Sequence, residues 1–198
     1  MGTIKTTNIE TITGSGTLTL GQSGETISVP SGATLDLSNA TQTGVGGVNT
    51  PNFFARLDSN QTGITNEVWT KVSLANEVYD SDNAFDSTTN YRFTVPSGKG
   101  GKYFFQFSIY ANAGDNNLQR LHIALYKNGS TILTGAINDW TNQAYRNSQM
   151  YSSSGVIDLS DGDYIELYGK LFHTGSGQFL GTGADAAATR LIGYRIIE

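Results

Sequence analysis

Along most of this chain, hydrophobic and polar positions alternate with a period of two, the pattern of strands that bury one face. The alternation predicts strands over Asn52–Leu57, Glu67–Val72, Tyr91–Val95, Lys102–Ala111, Leu118–Lys127, Ser130–Ala136, Ser148–Leu159, Asp163–Phe172 and Thr189–Ile197. Turn-forming clusters separate them: Ser97-Gly98-Lys99-Gly100-Gly101, Gly114-Asp115-Asn116-Asn117, Lys127-Asn128-Gly129 and Ser160-Asp161-Gly162-Asp163. The Asn128-Gly129 pair is the strongest short hairpin signal, because both residues tolerate the positive φ of a two-residue turn. Nine or ten strands and no helix predict an all-β sandwich or jelly roll.

Before position 53 the pattern is shorter and weaker. Thr17-Leu18-Thr19-Leu20, Thr26-Ile27-Ser28-Val29 and Thr34-Leu35-Asp36-Leu37 alternate over four residues each, with Gly21, Gly24 and Gly32 between them. The spacing reads as a short degenerate β-repeat. Its apolar side chains are Leu18, Leu20, Ile27, Val29, Leu35 and Leu37. At roughly 1.5–3 kcal/mol each when buried, they do not offset the ordering entropy of about 40 residues. The segment is therefore either disordered or a stalk or anchor in which three chains pool their apolar faces. The expected organisation is a β-repeat stalk over 1–47, a hinge over 48–52 and a head over 53–198.

Composition sharpens that boundary. All 21 aromatic residues fall between Phe53 and Tyr194. Charged residues make up only 15% of the chain, too few for long exposed helices stitched by Glu–Lys pairs. A net charge of −5 counts against nucleic acid and against electrostatic docking on anionic lipid. No stretch approaches the ~20 apolar residues of a membrane span. The absence of cysteine removes disulfides and thiolate metal sites. The opening Met-Gly-Thr-Ile-Lys-Thr-Thr-Asn lacks the pattern of a signal peptide, so synthesis in a cytoplasm without secretory export is expected.

Several blocks, in order, resemble the globular head of complement component 1q, which shares its jelly roll with the tumour-necrosis-factor ligands. They are Phe54-Ala55; Tyr79 and Phe85-Asp86, leading through Phe93 and Pro96 to Gly101-x-Tyr103-x-Phe105; Leu125-x-Lys127-Asn128-Gly129; Leu159-Ser160-Asp161-Gly162-Asp163; and Leu191-Ile192-Gly193-Tyr194. The last has Leu where that family usually has an aromatic residue. The resemblance covers 53–198 and implies a ten-stranded jelly roll assembled as a homotrimer. Alternation sets Phe104 opposite Tyr103, Phe105 and Phe107, so one strand offers aromatic rings both to the core and to a trimer interface. The stalk carries neither the Gly-X-Y repeat nor the heptads usual below such heads, and resembles bacteriophage fibres instead.

Candidate chemistry is sparse. His122 alternates out of a buried strand and reads as a surface or interface residue, and His173 as structural. No serine sits in a nucleophile elbow. Loop carboxylates at Asp80, Asp82, Asp161 and Asp163 are turn formers, with calcium as their alternative use; no other cofactor is expected. Binding candidates are Trp140, Tyr145 and Arg146 in a polar stretch between strands, with Asp115 and Asn116 in a second loop and Gly175–Gly183 in a third.

These readings converge on a non-enzymatic virion structural protein: a homotrimeric surface knob or short fibre held to other virion proteins by its N-terminal segment. Its head would contact a bacterial surface receptor or glycan, or decorate a capsid. A free lectin-like or cytokine-like recognition protein is the alternative. No nucleic acid and no membrane insertion are expected.

Overall fold

Burial alternates strand by strand as the sequence pattern requires. In the long strand Gly101–Asn112, Tyr103, Phe105, Phe107 and Ile109 are fully buried while Phe104 and Gln106 are only half-buried. The computed structural model describes residues 20, 23–36, 49–114, 116–139, 146–181 and 188–196, without the side chains of 136–139. Two compact units result, 1–45 and 46–198.

The second unit is all-β among its described residues. Its strands are β1 Asn52–Arg56, β2 Gln61–Ile64, β3 Thr70–Lys71, β4 Asn76–Asp80, β5 Phe85–Asp86, β6 Arg92–Thr94, β7 Gly101–Asn112, β8 Leu118–Lys127, β9 Ser130–Asp139, β10 Ser148–Leu159, β11 Tyr164–His173, β12 Gly177–Phe179 and β13 Arg190–Arg195. They form two antiparallel sheets. One runs β2-β12-β7-β13-β1-β4, with β10 on the other edge of β7; the second runs β5-β6-β11-β8-β9, with β3 beside β11. Apart from the sequential pairs β5-β6 and β8-β9, neighbouring strands are non-sequential, which makes this a jelly roll, as expected from the sequence.

The core lies between the sheets. Phe53, Phe85, Phe93, Tyr103 and Phe105 stack in one aromatic cluster, Phe53 and Phe93 with ring centroids 4.8 Å apart. Tyr103 buries its ring and donates its hydroxyl to the Lys99 carbonyl at 2.6 Å. Burial pushes that phenol up to about 12.

The hairpin forms as predicted: Asn128 and Gly129 take φ of 52° and 78°, both in the left-handed region that a twisted two-residue turn needs. Other expectations shift. Glu67–Val72 yields only the two-residue β3, since Glu67 sits at φ 62° and its amide turns to the Leu171 carbonyl. Strands β2, β4, β5 and β12 were not predicted; they are short, and Gln61–Ile64 is mostly polar.

In the first unit, turns fall at Ser23-Gly24 and Ser31-Gly32, and no strand forms among the described residues. Leu20, Ile27, Val29 and Leu35 are 59, 61, 45 and 65% exposed. A single chain leaves these apolar groups in water, in line with the entropy argument. Leu18 and Leu37 lie outside the described residues.

Candidate functional site

Phe104 leads to the site. It projects from β7 on the outer face of the larger sheet, and register gathers other apolar groups around it. Tyr194 lies opposite on β13 and Val156 opposite on β10. One row further, Phe54 on β1 pairs with Ile192 on β13 and with Tyr79 on β4. The rings touch: Phe104 and Tyr194 are 5.2 Å apart, Phe54 and Tyr79 6.2 Å. Val156, Tyr79 and Tyr194 are 56, 47 and 36% exposed, so the patch faces solvent in the single chain.

Charge stays at its ends. Lys102 faces Asp158 across the ladder at one end, and Arg56 faces Arg190 at the other. An apolar aromatic centre with a charged rim has the anatomy of a protein–protein interface. Of the four aromatic residues predicted for core and interface, Tyr103, Phe105 and Phe107 belong wholly to the core and Phe104 alone to this face. Phe54, Tyr79, Val156, Ile192 and Tyr194 complete it. Alternation within β1 and β13 was the signal that could have found Phe54 and Tyr194.

The loop candidates divide. Asn116 is exposed at φ 52°, and its amide donates to Asn147 Oδ1 at 2.6 Å. Arg146 is exposed next to it, bonded to Gln149 Oε1 at 3.2 Å, and exchanges backbone bonds with Leu118. The third loop joins them, since Thr174 donates its amide and its hydroxyl to Asn117. Three loops thus meet at one end of the sandwich. Trp140, Tyr145 and Asp115 lie outside the described residues.

The histidines have structural surroundings. Both ring nitrogens of the buried His173 face carbonyls, Gly175 at 2.8 Å and Ile64 at 3.0 Å, which ties β11 to β2. His122 is half-buried against Phe172, between buried Leu121 and Ile123.

The calcium candidates act as turn acceptors. Asp80 accepts from the Phe85 amide at 2.6 Å, and Asp82 accepts from Ser81 Oγ at 2.6 Å and lies 3.6 Å from Lys99 Nζ. Asp161 accepts from the Gly98 and Gly100 amides, which hold its carboxyl below the usual carboxylate range. Asp163 accepts from Lys127 Nζ at 2.8 Å, Asn128 Nδ2 at 2.7 Å and the Ser160 amide at 2.8 Å, and is brought down to about 2. Asp86 is lowered further by the Thr89 and Thr88 amides. No three His, Cys, Asp or Glu side chains converge as metal ligands among the described residues.

These carboxylates predict an acid limit. Asp86, Asp161 and Asp163 are more acidic folded than at the unfolded value near 3.9, so the stability they contribute is present above about pH 4 and lost as pH falls through the folded values. Melting temperature should be level from about pH 7 to 5 and fall steeply from about pH 4 to 2, with a shallower fall in Asp163→Asn. Circular dichroism melts across that range check this; a level profile down to about pH 2 would contradict it.

No protein-family model matches the sequence, and no curated protein sequence does. Similar solved structures include the globular domain of zebrafish complement 1qA protein, at 18% identity over 75% of this chain and 99% of that one, with a TM-score of 0.48. The Eiger tumour-necrosis factor from S. frugiperda is 14% identical over 75% and 94%, with a TM-score of 0.45. Murine APRIL is 13% identical over 72% and 97%, with a TM-score of 0.46.

Proposed function

We propose that this chain is a non-enzymatic structural protein of a phage virion, a homotrimeric surface knob or short fibre attached by its N-terminal segment. Its head is exposed for host-surface binding or capsid decoration. The observation that carries the assembly is the apolar outer face of the larger sheet. Monomeric soluble proteins rarely leave a contiguous aromatic patch in water. Phe54, Tyr79, Phe104 and Tyr194 have no role in the core of their own chain, and a second and third copy supply the cover. The number three follows from the motif blocks that resemble complement-type heads. The exposed Leu20, Ile27, Val29 and Leu35 are a second apolar set that three chains, or a chain and a virion protein, can bury together.

Native mass spectrometry of the purified chain is expected to give a trimer. Phe104→Glu with Tyr194→Glu places carboxylates at the centre of the face and should shift the population to folded monomer, a loss of at least 100-fold in association, or about 3 kcal/mol. A monomeric wild type sinks the assembly. The virion role has its own measurement: the polypeptide should be found in purified particles by mass spectrometry. Blocking of phage adsorption by added protein would then indicate receptor contact, and rebinding to stripped capsids decoration. Particles that lack the chain would overturn the role.

A further inference from the structure

One Asn-Gly pair and one Asp-Gly pair occur in the sequence, Asn128-Gly129 and Asp161-Gly162. In an unfolded chain such pairs are chemically labile, because glycine leaves its own amide nitrogen unshielded to attack the preceding side-chain carbonyl carbon. The fold brings both pairs to one end of the head. The Asn128 side chain is pinned across to the second turn: Nδ2 donates to Asp163 Oδ1 at 2.7 Å, and Oδ1 accepts from the Tyr164 amide at 2.9 Å. Its backbone amide donates to the Tyr164 carbonyl at 3.0 Å. The Asp163 carboxylate is itself held, by Lys127 Nζ at 2.8 Å and by the Ser160 amide at 2.8 Å, and Lys127 also reaches the Asp158 carbonyl at 3.1 Å.

Burial gives this turn no protection, since Asn128 and Gly129 are both exposed to water. Hydrogen bonding does. Attack on Asn128 requires its side chain to rotate until Cγ lies over the Gly129 nitrogen. An amide bonded at both ends lacks that freedom, and both bonds must break first. The Asp-Gly pair is restrained in the same way. Asp161 accepts from the Gly98 and Gly100 amides at 2.6 and 2.7 Å, and the nitrogen that would attack it, that of Gly162, donates to the Val95 carbonyl at 2.9 Å.

We infer that Asn128 is a site of spontaneous covalent modification, shut while this end of the head is closed, and that its conversion bars the head from closing again. The Gly129 nitrogen gives its proton to solvent base and bonds to Asn128 Cγ. The bond from Cγ to Nδ2 breaks, and the nitrogen leaves as ammonia with a proton taken from water. Water then opens the cyclic imide at either carbonyl, giving aspartate or isoaspartate. Aspartate removes the donor and sets a second carboxylate where the amide lay 2.7 Å from Asp163 Oδ1, so like charges meet in the closed turn. Isoaspartate lengthens the backbone of a two-residue turn by a methylene and disturbs the Lys127–Ser130 pairing of β8 with β9. Opening thereby becomes irreversible through chemistry on the open state. This chemistry needs neither a partner chain nor a virion.

Peptide mass spectrometry of the Asn128 segment, on the full chain held at mildly alkaline pH either folded or in urea, tests it. Conversion is expected to be at least about 100-fold slower in the folded chain, since it waits for local opening. Asp163→Ala removes the acceptor of Nδ2 and should raise the folded-state rate about ten-fold, while Leu118→Ala, at the far end of β8, lowers overall stability and leaves that rate unchanged. After increasing times in urea, the fraction of wild type that refolds should fall in step with conversion. Asn128→Gly accepts the positive φ and has no amide to lose, so it should refold in full after the same treatment. The comparison of folded and unfolded wild type needs no variant, so it stands if Asp163→Ala fails to fold. Equal rates folded and in urea, a wild-type rate in Asp163→Ala, equal acceleration by Leu118→Ala, or converted chains that refold in full would each overturn the inference.

Discussion

Replacing Phe93 with alanine is expected to cost about 3–5 kcal/mol, the range for deleting a fully buried aromatic ring with little collapse of the cavity. Phe93 is 0% exposed and belongs to the smaller sheet, yet its ring lies 4.8 Å from Phe53, 5.4 Å from Tyr103 and 6.1 Å from Phe105, all in the larger one. With Phe85, it is one of two rings of the smaller sheet through which the sheets grip each other at this end. Its neighbours cannot close the gap, because Phe53 is also stacked on Phe85 at 5.2 Å and Tyr103 is tied by its hydroxyl to Lys99. A domain of this size has about 5–15 kcal/mol in total, so the variant should be marginal at 37 °C. Urea unfolding should show a lowered midpoint with an unchanged slope. A loss below about 1.5 kcal/mol would mean that the aromatic cluster is not the centre of the core.

Phe93 was legible in the sequence because Tyr91–Val95 alternates around it, and the long strands were legible for the same reason. Leu118–Lys127 and Ser148–Leu159 match their predicted bounds, each having turn residues at both ends and a buried face long enough to show a period. The two-residue β3 and β5 carry no period, and their existence is decided by the neighbouring β11 and β6. Spacing alone left the loop aspartates open to calcium. What settles their surroundings is three-dimensional: Asp163 meets Lys127 and Asn128 from a turn 35 residues away. The motif blocks around Lys127-Asn128-Gly129 and Asp161-Gly162-Asp163 are thus halves of one clasp, which also takes in the Gly98–Gly100 turn through Asp161.

Apart from Phe104, the outer face of the larger sheet was hidden for a related reason. Phe54, Tyr79, Phe104, Val156 and Tyr194 come from five strands, and only register makes them neighbours. In sequence an outward aromatic residue looks like noise in the alternation; in the folded sheet several such departures coincide. The strand that bears Phe104 also shows the converse, since its inward rings were the easiest residues to place.

The second large effect concerns a residue with no side chain. Gly193 lies on β13 directly between Phe53 of β1 and Phe105 of β7. A Cβ there would stand 2.6 Å from Phe53 Cε1 and 2.7 Å from Phe105 Cε1, closer than carbon atoms approach. In an open strand position, glycine to valine would be favourable, because valine suits a pleated backbone and restricts the unfolded chain. Here the sign reverses. Both rings are held by Phe93, so they cannot step aside without opening the cluster that joins the sheets. Gly193→Val should destabilise by about 3 kcal/mol, at the upper end of overpacking costs, and Gly193→Ala by about 1–2 kcal/mol. Shrinking the obstructing ring provides the decisive comparison. If the clash is the cause, Phe105→Leu combined with Gly193→Val should lose markedly less than the sum of the two single variants, a coupling of about 1 kcal/mol or more in urea unfolding. Strict additivity would show that the glycine is kept for its backbone and not for the space that two aromatic rings occupy.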